Sequence, residues 1–261
     1  MDPVRHLVFR IYFDSTSRDI AVSSIPTIAD MYAMLARDAG AAASQVEWAA
    51  VAFVADRAYV SPRKADEVRW SVHVDPTGKL GAEGERDLFF TVPHEQVHHI
   101  QESLAAGAPR WFEEGQAEWI GLRVTQQWRP LLAAKEQDDL ATAYALTPRR
   151  LAAWGAMHVK REVILRQMTT EQRDHIAKDS TYMPPGPWTF GPDDLISDES
   201  ELRARYGAAL ALFSELEHRQ GSAALVNWYG RLWTKRDGMS TDSLTASILA
   251  NFGLDIAPIL R

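Results

Sequence analysis

The spacing of hydrophobic and polar residues divides the chain in two. Residues 6–13, "HLVFRIYF", are β-branched and aromatic and predict a strand. Residues 27–40, "TIADMYAMLARDAG", carry apolar side chains at helical spacing and end in glycine, which predicts a helix. Residues 47–55, "EWAAVAFVA", read as a strand because "ADRAYVSP" follows with a turn signal and another β-like run. Residues 68–74, "VRWSVHV", alternate and stop at "DPTG", where Pro and Gly suit a turn. Three or four strands and one helix are thus expected before residue 91.

Beyond residue 91 the pattern turns helical. Thr147 followed by Pro148 reads as a cap with proline at the first helical position. Thr169 with Gln172 fits a capping box. Residues 181–194, "TYMPPGPWTFGPDD", form the one long irregular loop expected, and such loops often carry function. Helices resume at about 198–219, 222–234 and 241–252. The expected organisation is an N-terminal α/β lobe over 1–105 and a mostly helical lobe over 106–261, one catalytic domain in two lobes.

At the junction lies "TVPHEQVHHIQESLAAGAPRWFEEGQAEW", residues 91–119. His94, Glu95 and His98 spell H-E-x-x-H. On a helix, i and i+4 share a face, so both imidazoles can reach one metal ion. Glu95 is rotated by about 100 degrees from His94, beside such a metal, where a general base for an activated water belongs. A catalytic zinc also needs a third protein ligand. Gly107 breaks the first helix, and Pro109 suits the first turn of the next. A short antiparallel return brings Glu114 alongside the histidines. Glu113 is the rival, but only Glu114 shares a face with Glu118. Glu118 is placed to accept the second N–H of a ligating histidine. Pro93 disfavours helix in the residue before it, so the helix is expected to begin close to His94.

Composition narrows the chemistry. The chain of 261 residues has no cysteine, so disulfides and thiolate metal sites are excluded. Its formal net charge of -7 argues against nucleic acid as the main partner. No apolar run is long enough to predict an integral membrane segment, and no signal peptide is evident, so a cytoplasmic protein is expected; a mature secreted form would read the same way.

"HEQVH" followed by "PRWFEEGQAEW" resembles the gluzincin class of zinc metallopeptidases, nearest to the peptidase MA-like branch. The resemblance covers roughly 85–123 strongly and 200–261 loosely. It implies an α+β, zincin-like catalytic domain: a mixed α/β lobe with a small sheet, an active-site helix and a helical C-terminal lobe. It implies one Zn2+ held by His94, His98 and Glu114, with Glu118 behind the ligands. It implies Glu95 as general base and Tyr206 as the oxyanion donor. The expected activity is hydrolysis of peptide bonds in a peptide or protein substrate. The alternatives are a zinc hydrolase of a non-peptide amide, a biosynthetic enzyme on the same scaffold, or an inactive metal-binding module.

Other residues carry weaker expectations. His99 reads as a neighbour of the site or surface. His73, His158, His175 and His218 are isolated. His158 and Tyr182 are second-choice oxyanion donors. Trp111 and Trp119 should pack the ligand helix, and Trp188 and Phe190 are candidates to line a substrate cleft.

Overall fold

A computed structural model describes residues 8–40, 46, 48–55, 63–64, 67–104, 107–146, 151–179, 182, 186–197, 201–234 and 239–260. The chain is mixed α/β, mostly helical, with small sheets. It forms two compact units, Met1–Ala152 with Arg203–Arg261, and Ala153–Leu202. The expected boundary at residue 105 falls inside the first unit.

The first unit opens with strand β1 (Ile11–Phe13) and helix α1 (Arg18–Asp38). Asp14 Oδ1 accepts the backbone N–H groups of Thr16 and Ser17, each at 2.8 Å, and turns the chain into α1. This helix starts nine residues before the expected position 27, and Pro26 lies inside it. Its buried face, Ala21, Ser24, Ile28, Met31, Tyr32 and Leu35, keeps helical spacing straight through the proline. Packing outweighs the local breaker.

Strands β2 (Ala50–Val54), β3 (Arg63–Lys64) and β4 (Glu67–His73) complete a four-stranded sheet ordered β1-β2-β4-β3. β2 pairs in parallel with β1 and β4, with Phe53 opposite Phe13 and Val72, and β3 is antiparallel to β4. β2 is buried on both faces, which explains why it reads as a continuous apolar run. The turn after β4 is as expected: Gly78 adopts φ 77 and donates its N–H to Asp75 O at 2.8 Å. The β-like run predicted at 56–62 and the cap predicted at Thr147 lie outside the described residues.

The H-E-x-x-H motif is not at the start of a helix. Helix α2 (Ala82–Arg86) continues through a π-helical turn (Asp87–Thr91) into α3 (Val92–Leu104). Pro93 therefore sits inside helical structure, against expectation. The reason is local. Pro93 has no N–H to give the Phe89 carbonyl one turn earlier. Thr125 Oγ1, from the next long helix, lies 2.6 Å from Phe89 O and satisfies it. The π turn absorbs the remaining misfit, with Val92 N–H reaching back to Asp87 O. His94 thus has about three turns of helical support on its N-terminal side.

Gly107, at φ 98, and Pro109 reverse the chain into α4 (Arg110–Trp128), which leads into α5 (Pro130–Leu146). α4 is buried almost all round, from Trp111 through Thr125. Phe112 packs against Phe213, Trp228 and Trp233, with ring centroids 5.6–5.8 Å away. Trp111 and Trp119 are buried as expected; Trp119 Nε1 donates to Glu217 at 2.8 Å. α4 packs on α1, α3, α5 and the π turn. It is the axis of the unit.

The second unit holds β5 (Met157–Val159), α6 (Arg161–Gln167), α7 (Thr170–Lys178) and β6 (Leu195–Ser197). β5 and β6 form an antiparallel pair, so the C-terminal half is not wholly helical. Three-residue strands with exposed faces leave no periodic signal in the sequence. The Thr169–Gln172 capping box forms as expected. The first unit then resumes with α8 (Leu202–Gln220), α9 (Ser222–Thr234), α10 (Thr241–Phe252) and α11 (Ala257–Leu260). Gly207 allows α8 to lie against α5: a Cβ there would stand 2.2 Å from Leu140 O.

Candidate metal centre

α3 and α4 meet where the chain doubles back, and three side chains converge there. His94 and His98 are one turn apart on α3, with ring centroids 4.8 Å apart. Their Nε2 atoms lie 3.1 Å from each other. Glu114, from the second turn of α4, sets Oε2 3.0 Å from His98 Nε2 and 3.4 Å from His94 Nε2. His94 and Glu114 are buried, and His98 is partly so.

The donor set suits a divalent ion. Zinc with two His and one Glu around it holds its ligands at about 2.0–2.2 Å, which puts tetrahedral donors roughly 3.3–3.6 Å apart. The three donor atoms here are already 3.0–3.4 Å apart. They need to spread by only a few tenths of an ångström. A buried His94, His98, Glu114 group that could hold a metal ion is therefore present.

The charges of the group say what the metal-free state must do instead. Burial opposes charge on both His98 and Glu114, but each is the other's partner. Burial pushes the His98 pKa down. The hydrogen bond and charge of Glu114, then Gln101 and the Glu95 carboxylate, push it further up, to about 9. Burial raises Glu114, yet the two histidines hold it well below the usual carboxylate range. A proton on His98 takes the place a cation would fill.

Around this core stand the remaining predicted residues. Glu95 is half-buried on α3. Glu118, one turn beyond Glu114, places Oε1 3.5 Å from His94 Nδ1. Among the described residues, His94 Nδ1 and Glu118 Oε2 make no hydrogen bond. Burial raises the Glu118 pKa, and the Glu114 charge adds to the rise against the opposing pull of His94. The Tyr206 ring, from the first turns of α8, lies 6.0 Å from the His94 ring, edge to face. Burial raises its pKa, and so does the Glu114 charge, so its hydroxyl keeps its proton. Glu113 is not part of the converging group; its carboxyl is half-buried and its pKa is raised by burial.

Three neighbours were not picked out from the sequence. Gln101 accepts from His98 Nδ1 at 2.8 Å. Arg110 Nε lies 3.4 Å from Glu114 Oε1, and its guanidinium also acts on Tyr206. Phe90 packs against His94, with ring centroids 6.3 Å apart. The first two obey helical spacing: Gln101 is i+3 from His98, and Arg110 is i−4 from Glu114. That spacing was legible. Phe90 is also four residues from His94, but the two share a face only because helical structure continues before Pro93.

Among the described residues, the isolated histidines are not members of the converging group. His73 Nδ1 pairs with Asp87 Oδ2 at 2.6 Å. His158 lies in β5, and Tyr182 packs against His175 at 5.1 Å, all in the second unit. His218 is exposed near the end of α8. Compared with known protein families, curated proteins and solved structures, the chain gives no match. Among the described residues no helix is long and apolar enough to cross a membrane.

Proposed function

We propose that this chain is a zinc-dependent hydrolase of peptide bonds, with a zincin-like catalytic unit of the gluzincin type. The observation that carries the reading is the convergence of His94 Nε2, His98 Nε2 and Glu114 Oε2, with Glu95 next to His94 on α3. The motif residues resemble that class, and the geometry suits its donor set. With no thiol in the chain, two imidazoles and a carboxylate form a set that catalytic zinc accepts, and Glu95 beside them in the H-E-x-x-H order favours zinc hydrolysis over other chemistry of that set.

His94, His98 and Glu114 would hold the ion. When bound, zinc supplies Lewis acidity, bringing the pKa of water toward neutrality and polarising the scissile carbonyl. The Glu95 carboxylate accepts a proton from the attacking water and hands it to the leaving nitrogen. Tyr206 keeps its phenolic proton and donates it in a hydrogen bond to the oxygen that becomes anionic. Glu118 Oε1 stands 3.5 Å from His94 Nδ1, and closing to hydrogen-bond distance it would orient the ring that presents Nε2.

Protein equilibrated with zinc and freed of excess should retain about one ion per chain. His98→Ala and Glu114→Ala should lose it. Glu95→Gln should keep the ion and lose turnover on a peptide library. A folded protein that takes up no zinc, or a fully active Glu95→Gln, overturns the proposal. Turnover confined to non-peptide amides would move the substrate class and leave the metal chemistry in place.

A further inference from the structure

Behind His98, on the side away from the converging donors, lies a buried amide. Gln101 is 2% exposed and comes from the same face of α3, one turn on. Its Oε1 is 2.8 Å from His98 Nδ1. Its Nε2 is 2.9 Å from the Glu113 carbonyl and 2.9 Å from Gln116 Oε1, both on α4. The orientation of this amide is not arbitrary. A backbone carbonyl can only accept, so the Gln101 group facing Glu113 O must be the NH2. The group facing His98 must then be the oxygen, and an oxygen there requires a proton on His98 Nδ1. Nε2 is left as the ring nitrogen turned toward His94 and Glu114.

One side chain therefore acts on two donors. It selects the His98 tautomer, and it ties α3 to α4 at the carbonyl immediately before Glu114. Resting on the zinc reading above, we propose that Gln101 is a positioning residue that sets His98 and Glu114 as a single unit for metal capture. It touches neither metal nor substrate. Gln116 completes the clamp: fully buried, its Oε1 takes the second Gln101 N–H.

Gln101→Met keeps the length and removes every hydrogen bond. The control is Gln96→Met on the same helix. Gln96 is also fully buried, but its Oε1 accepts from Ala49 N at 3.2 Å, toward the sheet and away from the donors. Zinc affinity is read by competition with a chelator of known strength, beside the melting temperature of each metal-free protein. Loss of a group that orients a metal ligand typically weakens binding about 10- to 100-fold. Gln101→Met should fall in that range, while Gln96→Met should lower the melting temperature with less than about a threefold change in affinity. Equal affinity in Gln101→Met and the parent, or equal losses in both variants, overturns the proposal while the zinc site stands. A parent that binds no zinc removes both. A nitrogen-15 spectrum of the zinc-loaded parent needs no variant and holds if Gln101→Met does not fold. It should show His98 protonated at Nδ1; a deprotonated Nδ1 overturns the proposal.

Discussion

Zinc binding to this site should expel a proton, and the amount of affinity this costs follows from one side chain. In the metal-free protein His98 is held up to about pKa 9, because Glu114 and Glu95 favour its charge more than burial opposes it. A histidine must lose its extra proton and be neutral to ligate a metal. At pH 7 only about 1 molecule in 100 has His98 ready to bind. Apparent affinity should therefore rise roughly tenfold per pH unit from pH 7 to near 9, then level off. The penalty at pH 7 is roughly 3 kcal/mol. Competition titrations between pH 6.5 and 9.5, corrected for protonation of the chelator, measure the slope. Calorimetry at pH 7.5 in two buffers of different ionisation enthalpy counts the proton from His98. A flat affinity between pH 7 and 8.5, or binding with no proton released, refutes the reasoning. The cause can be isolated without metal: in Glu114→Gln burial remains and the main counter-charge goes, so the His98 midpoint followed by NMR should fall well below that of the parent.

The same pair governs the stability of the metal-free protein. The contribution of His98, raised from 6.5 to about 9, is complete below pH 6.5 and is lost as pH rises through 9. The contribution of Glu114, lowered from 4.5, is present above pH 4.5 and is lost as pH falls through its folded value. The metal-free melting temperature should thus decline between pH 7 and 9.5, and zinc should remove the decline; an unchanged slope with zinc bound would contradict it. Tyr206→Phe should keep zinc and lower kcat by about a hundredfold with little change in KM, since it removes one donor to the developing oxyanion; parent-like kcat would return Tyr206 to a packing role. Gly207→Ala sets a Cβ 2.2 Å from the Leu140 carbonyl, so α5 and α8 must separate. A loss of about 1–3 kcal/mol or more in urea unfolding is expected, and a neutral result would mean that the crossing is loose.

Much of the site was legible because helical spacing alone carries it. His94 and His98 at i and i+4, and Glu114 and Glu118 at i and i+4 on the returning helix, meet as the spacing predicts. The sheet was legible where strands are buried, as at β2, and invisible where they are three exposed residues, as at β5 and β6. Two helix starts were misplaced. α1 begins nine residues before position 27 and carries Pro26 inside it, and Pro93, which was read as a boundary, also lies inside helical structure. A proline marks a boundary only if nothing else satisfies the carbonyl it strands. At Pro93 that partner is Thr125, 32 residues away on another helix, and local sequence cannot reveal it.

The carboxylates of α4 give the strongest physical reason to expect a function from this site. A helix buried on all sides is ordinarily apolar. α4 instead buries Glu114 and Glu118 beside Trp111, Phe112 and Ile120. An unpaired buried carboxylate is costly, and apolar side chains of similar size would pack the same helix without that cost. Glu114 is met by two histidines and by Arg110, while Glu118 Oε2 has no hydrogen-bond partner among the described residues. Two negative charges facing two imidazoles in a buried site make a poor core and a good cage for a divalent cation. Glu114→Gln and Glu118→Gln should accordingly make the metal-free protein differ in opposite senses. The first strips a charged partner from protonated His98 and should destabilise it near pH 7. The second removes a charge that burial penalises, and should leave stability unchanged or raise it. Both should weaken zinc binding, the first far more than the second. A Glu118→Gln protein that is less stable and binds zinc as the parent does would show Glu118 to be a structural ion and not a support for His94.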